Sequence, residues 1–191
     1  RIGVDNNDSF SNLSNFVRQI SKAGAQRFTI HARKAFLKGL NPKENRNIPP
    51  LRYDIVKKLK DENPSLLIEI NGGFTDINQC IDGLKIFDGV MIGRSAYKYP
   101  LRWSEIDNKI YGDKFLPLKA SDIIFSLIPY IDNHMQKKKR SWDICKHLIN
   151  IVESIPNAKK WRNKISFLSI NGNLSIKMLL TLTNELKSMG Y

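Results

Sequence analysis

Over roughly its first 110 residues the chain alternates short apolar runs with amphipathic stretches, and this alternation restricts the fold more than any other feature. Arg1–Val4 reads as the tail of a strand. Ser9 stands where it caps a helix, and Phe10, Leu13, Phe16, Val17 and Ile20 recur at helical spacing. Phe28–Ile30 is strand-like. A charged loop runs from about Lys34 to a proline pair, Pro49-Pro50. Tyr53, Val56, Leu59 and Lys60 fall in the next helix, which stops before Pro64. Leu66–Ile70 reads as an apolar strand of the kind buried in parallel sheets, and Gly72-Gly73 follows. Thr75 is placed to cap a helix with the stripe Ile77, Cys80, Ile81 and Leu84. Gly89–Ile92 is a further buried strand, closed by Gly93. Strand and helix in alternation predict a parallel α/β domain. A doubly wound sheet and a (β/α)8 barrel both remain open, and four strand signals are about half of what a barrel of ~250 residues needs.

From about Phe115 no strand signal survives. Ala120–Met135, Trp142–Ile155 and Leu174–Met189 read as helices, and Pro156-Asn157 separates the second from a short piece around Trp161. We therefore expect an α/β domain over 1–113 and a small all-helical domain over 114–191.

Charge narrows the partners. The 191 residues carry a net charge of +13, which points to a polyanion, nucleic acid before a membrane surface. A lysine-rich compositional bias, which the abundance of Asn and Ile fits, is the competing explanation. Over half of that charge is concentrated: residues 134–164 hold nine Lys and Arg against two Asp and Glu, including Lys137-Lys-Lys-Arg140. A solvated loop accounts for such a run in isolation; its clustering on one small domain favours nucleic acid. No apolar run reaches the ~18 residues that span a bilayer. Two cysteines, Cys80 and Cys145, cannot build a disulfide framework, so a reducing cytoplasm is expected. His134 and His147 flank Cys145 without any Cys-x-x-Cys spacing, and no metal is expected.

Two glycine corners carry the chemistry. Ile70-Asn71-Gly72-Gly73 ends one strand and Ile92-Gly93-Arg94 ends the next. Without a Cβ, the backbone N–H groups there can approach an anion, and Arg94 adds a charged fork. Such corners also occur as plain tight turns, but two in succession favour a phosphate ligand. There is no G-x-G-x-x-G and no Walker loop. His31 closes the strand Phe28–Ile30 and would face a site at a barrel mouth; structural hydrogen bonding is its commoner role. Cys80 and Cys145 lie on apolar helical stretches and read as packing residues. Asp5 and Asp8 read as helpers in capping the first helix, and no carboxylate pair is spaced for acid–base work.

These segments resemble the tRNA-dihydrouridine synthases. The matching runs are Arg1-Ile-Gly-Val-Asp5, Ile30-His-Ala-Arg-Lys-Ala35, Asn41-Pro-Lys-Glu-Asn-Arg46 with Ile48-Pro-Pro-Leu51, Ile70-Asn-Gly-Gly73 and Val90-Met-Ile-Gly-Arg94 followed by Ala96-Tyr97. The loop from Lys38 to Leu51, together with Ile128-Pro-Tyr-Ile131 and Ile155-Pro-Asn-Ala-Lys-Lys-Trp-Arg162, is similar to the A subfamily in particular.

The resemblance implies an FMN-bound TIM barrel followed by a helical tRNA-binding domain. It implies reduction of uridine to 5,6-dihydrouridine at positions 20 and 20a of the tRNA D loop, with NADPH as reductant, in a monomer. Carried over by position, His31, Asn71, Gly72, Gly73, Gly93 and Arg94 would contact FMN, and Lys43, Arg46, Lys159 and Arg162 would contact tRNA. The family commonly has Arg where Lys159 stands; Lys keeps the charge and loses the bidentate fork. The family's catalytic Cys falls upstream of Arg1, and its flavin-contacting Lys two residues before it. We therefore expect residues 1–113 to be the C-terminal half of a barrel, in a chain inactive alone. A dihydroorotate dehydrogenase-like barrel leaves the basic loop and tail without a purpose. A non-catalytic RNA-binding remnant is the alternative from another class.

Overall fold

The computed structural model describes residues 1–153 and 155–191. The chain divides into two compact units, Arg1–Gly93 and Arg94–Tyr191.

The first unit runs α1 (Phe10–Lys22), β1 (Arg27–His31), α2 (Tyr53–Glu62), β2 (Leu67–Asn71), α3 (Ile77–Leu84) and β3 (Gly89–Met91). Its strands form one parallel sheet in the order β1-β2-β3. Parallel neighbours need crossovers, and α2 and α3 supply them. Ser9 caps α1 as its position suggests, its Oγ accepting the Asn12 N–H at 3.2 Å.

Three local readings are corrected. Arg1–Val4 is not a strand: Val4 makes only isolated bridges to Asn7 and Ala35. The chain folds back at Asp5 (φ 50°), and the Asn7 N–H donates to the Val4 carbonyl at 2.8 Å, which ends extended geometry. The cap of α3 is Asp76, not Thr75. The Asp76 carboxylate accepts the Gln79 N–H at 2.9 Å, while the Thr75 N–H donates to Gln79 Oε1 at 2.8 Å. Nor are β2 and β3 buried throughout. Ile68 and Ile70 are buried among Leu13, Val17, Val56 and Leu59, but Leu67 is 42% exposed and Met91 47%. Alternation is the reason: Ile68 and Ile70 face the core, whereas Leu67 and Glu69 share the other, less covered face of β2. There Glu69 accepts from Thr29 Oγ1 at 2.5 Å and pairs with Arg27 at 3.4 Å.

The second unit contains α4 (Arg94–Lys98), α5 (Ile106–Tyr111), α6 (Ala120–Gln136), α7 (Trp142–Ile151), α8 (Lys159–Ile170) and α9 (Ile176–Ser188), and its described residues include no strand. Ile124, Ile131, Leu148, Ile165, Leu179, Leu182 and Leu186 form its core. Residues 94–113, read with the α/β part in the sequence, supply Leu101 to this core. α7 stops at Ile151, short of the Ile155 that the sequence suggests. The piece around Trp161 is a 12-residue helix. Its inner face, Trp161, Ile165 and Ser169, keeps a four-residue spacing that Arg162, Asn163 and Lys164 dilute in the sequence. Trp161 is fixed by donating Nε1–H to the Leu182 carbonyl at 2.8 Å. Among the described residues, no helix is long and apolar enough to cross a membrane.

Candidate functional site

Strand register sets the geometry. His31 pairs with Asn71, and Asn71 with Met91, so the three side chains form one row across the carboxyl ends of the sheet. Asn71 Nδ2 lies 2.8 Å from Met91 Sδ. His31 Nδ1 accepts the Arg33 N–H at 3.2 Å, so the neutral imidazole carries its own proton on Nε2. Beyond the row the chain turns through Gly72 (φ 115°) and Gly73 (φ 85°), a region that L side chains rarely enter. Space forbids a side chain as well. A Cβ on Gly73 would lie 2.6 Å from Leu51 Cδ1 and 2.8 Å from Tyr53 Oη. One on Gly72 would lie 3.0 Å from Leu51 Cδ2 and 3.1 Å from His31 Cε1.

Gly93 is different. It lies just past Met91, has no positive φ, and a Cβ there would meet nothing within 4 Å. The fold does not demand glycine here, and the bare backbone leaves room for a ligand. Arg94 follows as the first residue of α4 and of the second unit. The structure thus brings His31, Asn71, Gly72 and Gly73 together, with Gly93 at the end of the adjacent strand. An anionic group fits this corner, because backbone donors are open there without a Cβ in front of them. In the first turn of α3 the Gln79 N–H is already taken, accepted by the Asp76 carboxylate. The corner itself, rather than that helix end, offers the donors.

Behind the turn lies a cavity of about 440 Å³, lined by Leu51, Tyr53, Phe74, Ile86 and Phe87 among others. The Tyr53 hydroxyl donates to the Gly72 carbonyl at 2.5 Å, and burial pushes its pKa up, so it stays protonated. Cys80 and Cys145 are both buried. Burial holds their thiols up, Cys80 helped by the nearby Asp76 and Cys145 to about 11, so neither is a ready thiolate. Among the described residues no cluster of His, Cys, Asp and Glu could hold a metal ion.

Lys43 and Arg46 are on the long loop, beside a single turn of 3-10 helix at Glu44–Arg46. The loop is braced from within. Asn41 Oδ1 accepts the Lys43 and Glu44 N–H groups at 2.9 and 3.0 Å, and Glu44 Oε2 accepts the Asn41 N–H at 2.8 Å. Asn45 ties the limbs: its Oδ1 accepts the Phe36 N–H at 2.7 Å, and its Nδ2 donates to the Phe36 and Leu40 carbonyls at 2.8 and 3.1 Å. Arg33 donates to the carbonyls of Asn47 and Pro49, and Arg1 to those of Lys34 and Asn45. Burial, then repulsion from Arg33 and Arg46, lowers the pKa of the Arg1 guanidinium. Nothing in the sequence points to the parts played by Tyr53, Asn45 and Arg33, since each acts on a backbone carbonyl or amide well removed along the chain.

Lys159 and Arg162 lie on α8 in the second unit. Lys159 opens that helix, whose first turn has no acidic residue, although a helix N-terminus prefers negative charge. Arg162 is engaged by the Glu153 carboxylate and donates to the Glu153 carbonyl at 3.3 Å, so part of its charge is answered within the unit.

The first unit is that of a parallel α/β protein with glycine corners at its strand ends, where such proteins take their ligands. Residues 1–185 match the family described as Dihydrouridine synthase (Dus), and the chain belongs to that family. It is 42% identical over 190 residues to the tRNA-dihydrouridine(20/20a) synthase of Synechocystis sp., covering all of this chain and 57% of that protein. It is 39% identical over 166 residues to the enzyme of that name from Pseudomonas aeruginosa, covering 87% and 50%. Against the one from Shewanella oneidensis the identity is 42% over 166 residues, covering 87% and 50%. The chain thus spans about half the length of the curated relatives it matches.

Proposed function

We propose that this chain is the part of a tRNA-dihydrouridine(20/20a) synthase that holds the tail of FMN and grips tRNA. The first unit would complete one side of a TIM barrel, and the second would carry the tRNA-binding helical domain. The observation that carries this is the row His31–Asn71 running into a left-handed Gly72-Gly73 turn, because four of the six residues assigned to the cofactor by resemblance, His31, Asn71, Gly72 and Gly73, adjoin there. Asn71, Gly72 and Gly73, with Gly93 and Arg94, would hold the phosphate, and the Nε2–H of His31 would face the ring system. When bound, FMN supplies the hydride that reduces the uracil 5,6-double bond, with NADPH as the source of electrons. The chain's own residues bind and orient. Lys43 and Arg46 from the braced loop, and Lys159 and Arg162 from α8, would hold backbone phosphates while the target uridine leaves its stack. Lys159 supports this reading, since a cation that opens a helix serves an external anion better than the helix itself. The proton needed at uracil C5 has no donor in Cys80 or Cys145, both buried, so we take the 191 residues alone to be inactive. The setting would be cytoplasmic and the protein monomeric.

A dihydrouridine map of tRNA from cells with and without the intact gene tests this. Loss of the modification at positions 20 and 20a is expected. An unchanged map would mean a non-catalytic RNA-binding remnant instead.

A further inference from the structure

We propose that Tyr53 is a positioning residue for the cofactor's phosphate, fixing the peptide between Gly72 and Gly73 so that the Gly73 N–H is presented to the anion. This rests on the cofactor reading above and goes beyond it, because Tyr53 belongs to neither glycine corner.

The argument starts from the peptide plane. No peptide bond among the described residues is cis, so the Gly73 N–H points opposite to the Gly72 carbonyl. That carbonyl accepts from Tyr53 Oη at 2.5 Å. The N–H is therefore turned away from Tyr53 and from the apolar cavity that Tyr53 lines. Among the described residues the Gly73 N–H has no protein acceptor, which leaves it for solvent or a ligand. Two flexible glycines would otherwise let this plane flip, since neither has a side chain to hold it.

Tyr53 is itself held at several points. It is the first residue of α2, and the preceding Arg52 N–H donates to the Ala32 carbonyl at 2.8 Å, tying the start of the helix to the end of β1. Its ring lies 5.7 Å from that of Phe74, the residue that leaves the glycine turn. The hydroxyl thus meets Gly72 from a fixed direction. The Cβ that Gly73 lacks would sit 2.8 Å from the same Oη, so the close approach of Tyr53 and the glycine are one device.

The test compares FMN with riboflavin, which has the same ring system and no phosphate, by titration of flavin fluorescence on the complete protein. Tyr53→Phe keeps the ring and its contact with Phe74 and removes only the hydroxyl. We expect FMN affinity to fall about tenfold while riboflavin affinity stays unchanged, the loss being that of an oriented hydrogen bond to a charged group. Equal losses for both flavins would mean that Tyr53 only supports the fold, and no loss for either would mean that the turn holds itself; both results overturn the proposal. If the unsubstituted protein shows no preference for FMN over riboflavin, the phosphate reading of the glycine corners fails as well.

Discussion

Gly73 and Gly93 both follow strands, and they are glycines for different reasons. Gly73 combines a φ of 85° with a missing Cβ that would press on Leu51 and Tyr53. We expect Gly73→Ala to destabilise the first unit by about 1–3 kcal/mol, measured as a lower urea midpoint. Gly93→Ala meets open space, and its stability should stay within about 0.5 kcal/mol of the parent. On the cofactor reading its FMN affinity should nevertheless fall, because a methyl group would occupy the approach to the backbone; an FMN titration beside the urea curve separates the two effects. The sequence cannot tell these residues apart. It marks both as turn glycines, whereas the clash of one with Leu51 and Tyr53 comes from a segment about twenty residues away. Tyr53 is hidden for the same reason. In the sequence it belongs to a helical stripe, and its hydroxyl partner lies in the next βα turn.

At the level of elements, Asp88 joins three pieces of the first unit. Its Oδ2 accepts from Lys60 Nζ of α2 at 2.6 Å and from the Ile68 N–H of β2 at 2.7 Å, and its own N–H donates to the Ile68 carbonyl at 3.1 Å just ahead of β3. The Lys60 hydrogen bond, outweighing desolvation, holds the Asp88 carboxyl below the usual carboxylate range. A carboxylate whose pKa is lower folded than unfolded stabilises the fold above its unfolded pKa of about 4, and that stabilisation is lost as pH falls toward the folded value. Asp88→Asn should therefore cost about 1–2 kcal/mol at neutral pH, and in denaturation curves the gap between variant and parent should narrow as pH falls from the unfolded value toward the lower folded one. Elements are legible where periodicity is strong and local: α1 with its Ser9 cap, the three strands, α6 and α9. They are obscured where a tertiary contact decides. The row of charges around Trp161 hides α8, whose inner face shows only against Leu182. Glu69, on the less covered face of β2, has its partners on the neighbouring strand β1.

For the molecule as a whole, the net charge of +13 and its concentration in the second unit are plain from composition, and the family is plain from ordered motifs. Where the chain divides is not, because α4 and α5 are too short to print a stripe. On the RNA-binding reading, affinity for tRNA should drop steeply as salt rises. Replacing Lys43 and Arg46 together with Gln should make the log–log salt slope shallower by about one unit for each phosphate no longer neutralised. A slope identical to the parent's would remove the long loop from the interface.

The carbonyl-gripping arginines and the Asn45 amide have a thermodynamic corollary. A segment of this length, if left limp, surrenders roughly 1–2 kcal/mol of backbone freedom for each residue that a partner immobilises. Here the internal bracing settles that loss during folding. On the RNA-binding reading, Lys43 and Arg46 would meet an incoming polyanion from a stiff, ready-made scaffold, and encounter would require no rearrangement of it.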